Sequence, residues 1–301
     1  MLEENLAGII AGIEKNYENE IISYKDGDRH FPSRTRVKDI VKDVRNMLFP
    51  RMFEEGAKAS SEPQYFIGNT SLRVADVLGQ QVRLAYTFRD GDKLTREEID
   101  ARADYVVEEF FKALPEVQSM LLKDVEAAFE GDPAATCKEE IVTSYPGFFA
   151  IMVYRMAHVL YKLDVPLIPR MMTEYAHAGS GVDLNAGAEV GEYFFIDHAT
   201  GVVIGETTTI GNHVKIYQGV TLGALSTRGG QSLAGVKRHP TIEDNVTIYS
   251  NASVLGGETV VGAGSVIAGS AFVTESVPPN SRVSLKNQEV NVRVSEKKPT
   301  K

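Results

Sequence analysis

The chain reads as an α+β protein, an all-helical N-terminal half followed by a parallel β-helix. Three observations predict this. Apolar residues before residue 178 recur at helical spacing, and those beyond it recur every sixth residue. Glycine changes density at the same place: nine of the 26 glycines precede residue 179 and seventeen fall between Gly179 and Gly269. The 301 residues suit two domains better than one. The reading divides them into a helical domain over 1–178, a β-helical domain over 179–285 with a long loop at 223–240, and a tail over 286–301.

The helices follow in order. The first thirty-five residues, including the polar stretch Tyr24–Arg36, carry the weakest signal. They open acidic, MLEENLAGIIAGIEKNYENE, without the basic and apolar regions of a signal peptide. From Arg36 to Leu48 the apolar positions Val37, Ile40, Val41, Val44, Met47 and Leu48 form one helical stripe, limited by Pro50. Leu72–Phe88 repeats the pattern through Val74, Val77, Leu78 and Val82. Thr95 and Glu98 have capping-box spacing and open a helix through Ile99, Ala103, Val106, Val107 and Phe110. Further helices are expected over Glu116–Phe129, Gly147–Lys162 and Pro169–Ala178. The last two are apolar nearly all round, so they belong in a core or a subunit contact. No run of eighteen apolar residues is present, so no membrane span is expected.

Beyond Gly179 the aliphatics Leu184, Val190, Ile196, then Ile204, Ile210, Ile216, Leu222, then Ile242, Ile248, Val254 and Val261, Ile267, Val273 keep a period of six within each run. Six fits neither an amphipathic helix nor an independent hairpin. It fits short strands on the flat sides of a stacked prism, each aliphatic pointing into a shared core. Glycine follows the aliphatic in Val190-Gly191, Ile204-Gly205, Ile210-Gly211, Leu222-Gly223, Leu255-Gly256 and Val261-Gly262, where positive φ is expected to turn the corners. The phase slips between 196 and 204 and between 254 and 261, and Gly223–Pro240 interrupts it with a polar, basic loop. Loops of that length are commonly functional.

Composition excludes several function classes. A net charge of −9 argues against nucleic acid as a partner. The single cysteine, Cys137, excludes a disulfide framework and fits a reducing compartment, the cytoplasm. Among the six histidines, His158 reads as a packed core residue, His177 as structural at the domain junction and His213 as an exposed corner, while His30 lies in the uncertain polar segment. His198 stands apart, because it follows Asp197 at the first phase slip. A general base needs a neutral imidazole and a group that fixes its tautomer. Asp183 lies fifteen residues earlier. With coils of about eighteen residues and strands about 4.8 Å apart, it falls within reach of His198. A turn role for Asp183 and a merely exposed His198 is the alternative. Lys237, Arg238 and His239 form either a solvated basic loop or an anion clamp. Asp132-Pro133 reads as an N-cap with proline at N1.

From Gly131 onward the chain resembles the serine O-acetyltransferases, hexapeptide acyltransferases that begin cysteine biosynthesis. The resemblance rests on Asp132-Pro133, VDLNAGAEVG around Asp183, DHATGVVIGET from Asp197, QGVTLGA from Gln218 and RHP from Arg238. It covers about half the chain strongly and the preceding helices more weakly. It implies a left-handed β-helix and direct acetyl transfer from acetyl-CoA, the co-substrate, to L-serine, with no metal. His198 would be the general base and Asp183 its orienting partner. Asp132 and Asp197 would hold the serine ammonium, and Arg238 and His239 its carboxylate. Ala224, Ser250 and Gly269 would line a CoA groove between subunits, with Arg228 and Lys237 as phosphate partners. It further implies homotrimers or hexamers and feedback inhibition by cysteine.

Three departures from the family pattern are visible. Six extra residues lie between Leu222 and Arg238, and about forty precede Asp132. The ending VNVRVSEKKPTK lacks the terminal isoleucine that inserts into cysteine synthase, so no stable complex is expected by that route. The competing readings are an acyltransferase for sugar or xenobiotic hydroxyls, a zinc carbonic anhydrase on the same prism, and a non-catalytic scaffold. A neutral acceptor needs neither Asp132 nor the Arg238–His239 clamp, the zinc enzyme needs three histidines around one metal, and a scaffold needs no acid–base pair.

Overall fold

A computed structural model of the chain describes residues 2–19, 21, 31–53 and 63–286. His30 and the ending VNVRVSEKKPTK lie outside the described residues. Among the described residues seven helices come first: α1 (Leu2–Asn16), α2 (Arg34–Leu48), α3 (Pro63–Asp90), α4 (Arg96–Gly131), α5 (Lys138–Ser144), α6 (Pro146–Lys162) and α7 (Ile168–Ser180). α2 starts where the Ser33 hydroxyl accepts from the Arg36 N–H, and its predicted stripe is buried. The Thr95–Glu98 capping box opens α4, as its spacing predicts.

Two helical expectations need correction. The helices predicted on either side of Pro115 are one, the 36-residue α4. Proline removes one intrahelical bond, but Leu114 and Val117 beside it are buried, within a stripe from Ile99 to Ala128 that packs on α3 and α6. Burying such side chains contributes about 1.5–3 kcal/mol each, enough to carry the helix through the proline. Asp132 is not an N-cap. It ends α4, its N–H donating to the Ala128 carbonyl, and its carboxylate accepts from the Ala134 N–H in a tight turn.

The second half is a three-sided prism. Face I stacks β1 (Asp183–Leu184), β4 (Val203–Ile204), β7 (Thr221–Gly223), β10 (Ser253–Leu255) and β13 (Phe272–Val273). Face II stacks β2 (Glu189–Val190), β5 (Thr209–Ile210), β8 (Thr241–Ile242) and β11 (Val260–Val261). Face III stacks β3 (Phe195–Ile196), β6 (Lys215–Ile216), β9 (Thr247–Ile248), β12 (Val266–Ile267) and β14 (Arg282–Val283). Every pairing is parallel, and the chain visits faces I, II and III in turn, as a left-handed β-helix does. All thirteen aliphatics of the six-residue repeat are buried.

The glycines beside them do a different job from the one expected. Of the six aliphatic–glycine pairs, only Gly256 has positive φ; at the corners that region is occupied largely by Tyr193, His213, Asn245, Asn251, Ser270 and Asn280. Gly191, Gly205, Gly211 and Gly262 are required by close stacking. A Cβ on Gly211 would stand 2.2 Å from Asp244 Oδ1, and one on Gly205 2.1 Å from the His239 ring.

Helices and prism share a core. Arg155 of α6 donates to Asp124 of α4 from Nε and Nη2, at 2.5 and 2.8 Å, and Nη2 also reaches the Gly191 carbonyl. Asp124 accepts in addition from the Phe194 N–H, so one buried pair ties α4 and α6 to a corner of the prism. Gly147 lets the first turn of α6 lie on β3, because a Cβ there would meet the Ile196 carbonyl oxygen at 2.2 Å.

Candidate active site

The edge between faces III and I carries His198. Asp183 pairs with Val203, twenty residues on, whereas Val203 pairs with Thr221, eighteen on. The two surplus residues are absorbed between β3 and β4. There His198 (φ 59°) and Ala199 (φ 63°) adopt left-handed backbone and Gly201 follows at 84°. Non-glycine residues in that region cost about 1–3 kcal/mol each and cluster at functional sites. Ala199 is buried while the His198 side chain is 66% exposed. The phase slip therefore has a physical outcome: an imidazole held outside the wall.

Around it the structure gathers two of the predicted carboxylates. The Asp197 carboxylate is almost buried, with Oδ1 3.6 Å from His198 Nδ1 and Oδ2 3.4 Å from Lys215 Nζ. Asp132, at the end of α4, accepts from the Tyr145 hydroxyl at 2.6 Å and the Ala134 N–H at 2.9 Å. Those two bonds hold the Asp132 carboxyl below its usual range, aided by the charges of Lys215 and His198; the same bond pushes the Tyr145 phenol up to about 12. Tyr217 closes one side, its ring 6.3 Å from that of His198 and stacked on Tyr249 at 5.0 Å.

Asp183 is a correction to the geometry. Within one chain it makes no bond to His198; its Oδ1 accepts from Arg170 Nη1 at 2.9 Å. The coil here is two residues longer than the eighteen assumed, so the residue stacked on Asp183 is Val203, five past His198. Glu174, His177 and Asp183 converge closely enough to ligate a cation, but Arg170 already bonds both carboxylates and supplies that charge.

Arg238 and His239 lie on another edge, between faces I and II. His239 is buried over Gly205, and its Nδ1 accepts from the Thr207 N–H, which leaves the ring proton on Nε2. Burial, with Arg238 and Lys237 nearby, pushes its pKa down to about 4, so the ring is neutral at neutral pH. Arg238 donates to Glu206 Oε2 at 2.5 Å and to the Leu233 carbonyl at 3.2 Å, an arrangement that fixes its guanidinium plane. Lys237 is exposed on the loop, with its ammonium turned towards the backbone. Its ammonium donates to the Thr207 carbonyl at 2.7 Å, and burial lowers its pKa. Arg228 is exposed on the loop.

The groove residues divide in the same way. Ser250 and Gly269 continue the His198 edge, and a Cβ on Gly269 would lie 3.5 Å from Ser250 Oγ. Ala224 follows β7 on the edge of Arg238. The predicted site residues thus fall into two groups, one face of the prism apart. His158 is half-buried, its Nδ1–H donating to the Ala186 carbonyl at 2.8 Å, and His213 is exposed, stacked on Tyr193. Sequence reasoning missed Lys215, Tyr145, Glu206 and Arg170. Lys215 alone had a usable signal: once the two surplus residues are counted, it stacks outward on Phe195.

No family model matches the chain. The plasmid serine acetyltransferase of Synechococcus elongatus is 43% identical over 220 residues, 71% of this chain and 69% of that protein. The serine acetyltransferase of Bacillus licheniformis is 46% identical over 125 residues, 42% of this chain and 55% of that relative's length. Among solved structures, Entamoeba histolytica serine acetyltransferase 1 in complex with L-cysteine superposes with a TM-score of 0.73 at 33% identity, covering 90% of this chain and 96% of its own. The Neisseria gonorrhoeae enzyme in complex with serine gives 0.53 at 27% identity, covering 81% and 94%.

Proposed function

The chain belongs to the serine acetyltransferase family and moves an acetyl group from acetyl-CoA to the hydroxyl of serine; we propose that it does so in a site completed by a neighbouring copy of itself. The observation that carries this reading is the division of the predicted residues between two edges of one prism. Asp132, Asp197 and His198 of one copy meet Arg238 and His239 of the next. A cyclic trimer of prisms, edge to face, brings such half-sites together three times. CoA then lies between the copies, along Ser250 and Gly269 of one and Ala224 of the other.

In this site the serine ammonium sits between the Asp132 and Asp197 carboxylates. Its carboxylate takes the guanidinium of Arg238 and the Nε2–H of neutral His239. His198 Nε2 removes the hydroxyl proton as the serine oxygen attacks the thioester carbonyl carbon. The tetrahedral oxyanion collapses with rupture of the C–S bond, and the imidazolium returns its proton to the departing thiolate. O-acetylserine and CoA result, the first step from serine towards cysteine. Asp183, held by Arg170 within its own chain, is available to orient the imidazole of a neighbouring copy. Cysteine shares the ammonium and carboxylate of serine, so it occupies the same contacts as a feedback inhibitor. The exposed free thiol of Cys137 suits a reducing compartment, and we assign the enzyme to the cytoplasm.

The test is thiol release from acetyl-CoA with a panel of acceptors. L-Serine supports saturable release. Ethanolamine, which lacks the carboxylate, and a neutral sugar do not. Equal rates with the sugar would establish the rival hydroxyl acyltransferase instead.

A further inference from the structure

We infer that Lys215 is a positioning residue of the serine subsite: its ammonium ties the Asp197 carboxylate to the end of the helix that carries Asp132 and offsets one of the two carboxylate charges, leaving the complement of one substrate ammonium. The inference rests on the reading of Asp132 and Asp197 as the ammonium ligands.

Lys215 projects from β6, directly over Phe195 of β3. Its side chain is 21% exposed and runs between the rings of Phe195 and Tyr217, with Nζ 4.8 and 4.6 Å from their centroids. From there Nζ donates to the Gly131 carbonyl at 2.6 Å and lies 3.4 Å from Asp197 Oδ2. Gly131 is the last residue of α4, and Asp132 follows it. A cation at that place also meets the negative end of a 36-residue helix dipole. Gly131 permits the approach, since a Cβ there would stand 2.8 Å from the Phe195 ring. Thus Lys215 joins the helical half to the prism at the point where their two aspartates must cooperate.

Charge balance requires the same cation. Asp132 and Asp197 bring two carboxylates to one gap, and Lys215 brings an ammonium to within 3.4 Å of one of them. Without Lys215 two carboxylates would face a single substrate ammonium across a half-buried gap, and their mutual repulsion would spread them or protonate one. With it, binding one ammonium neutralises the cluster. A cation embedded between aromatic faces and bonded to a carbonyl is also prevented from swinging into the substrate position.

The test compares Lys215→Met, Lys215→Gln and Lys215→Arg in the full chain. For Lys215→Met the KM for serine rises about tenfold or more, while the KM for acetyl-CoA changes less than twofold. The acid limb of kcat/KM for serine moves to higher pH, because Asp132 loses a neighbouring cation. Lys215→Arg recovers serine KM to within about threefold, as a retained charge should. Lys215→Gln keeps a donor for the Gly131 carbonyl but not the charge, and serves if the methionine variant does not fold; it shows the same acid-limb shift. An unchanged serine KM, a parallel rise for both co-substrates, or an arginine variant as poor as the uncharged ones overturns the inference while leaving the activity assignment intact. A wild-type chain that does not acetylate serine overturns both.

Discussion

Replacing His198 with alanine lowers serine-dependent thiol release by about a hundred- to ten-thousandfold, the range that a general base contributes. The fold survives, because the side chain is largely exposed and the surrounding core, Ala199 and Ile196, is untouched. Backbone strain is the one complication, since position 198 has φ 59°. Asparagine tolerates that region better than alanine. His198→Asn is therefore the matched control: it keeps wild-type thermal stability and is as inactive as His198→Ala. Activity in the asparagine variant would remove His198 from the chemistry, whatever the alanine variant does.

Arg155→Met carries the largest expected effect on stability, about 3–5 kcal/mol, a melting temperature lower by roughly 6–20 °C. Burial pushes the Asp124 carboxyl up, while the Arg155 guanidinium and the Phe194 N–H pull it down. Removing the guanidinium leaves a carboxylate without its counterion and a Gly191 carbonyl without its donor. Pairing it with Asp124→Leu recovers part of the loss, because no buried charge is then uncompensated. Recovery stays incomplete, since the Phe194 N–H and the Gly191 carbonyl both remain orphaned. Differential scanning calorimetry of the two single variants and the double variant measures this. A loss below about 1 kcal/mol for Arg155→Met would show that other contacts hold the helices to the prism.

The architecture was legible because period is a physical quantity: side chains that must share a core repeat with the geometry of the element that carries them. Thirteen aliphatics that keep a period of six within each run fit a stacked prism, and every one of them is buried. Helix boundaries were less legible. Pro115 looks like a break when propensity is read locally, yet the buried stripe on either side overrides it. The repeat glycines were assigned the wrong cause, because composition cannot separate a need for positive φ from a need for close approach; Gly205 under His239 is the second kind. At the site, His198 and Asp197 were marked by the defect in the repeat. Their neighbours Lys215 and Tyr145 were not, since each comes from a separate coil or helix and only the register brings them together. The expected Asp183–His198 contact within one chain is not formed because two residues lengthen the first coil.

The division of the site between copies is the central claim, and complementation tests it most directly. His198→Ala and Arg238→Ala chains are each crippled at limiting serine. Co-expressed in equal amounts and co-assembled at random, they form one interface in four with both half-sites intact, so about a quarter of wild-type activity returns. If His198 and Arg238 served one site within a single chain, every site would keep one defect. Mixed assemblies no more active than the two variants assayed separately would contradict the shared site.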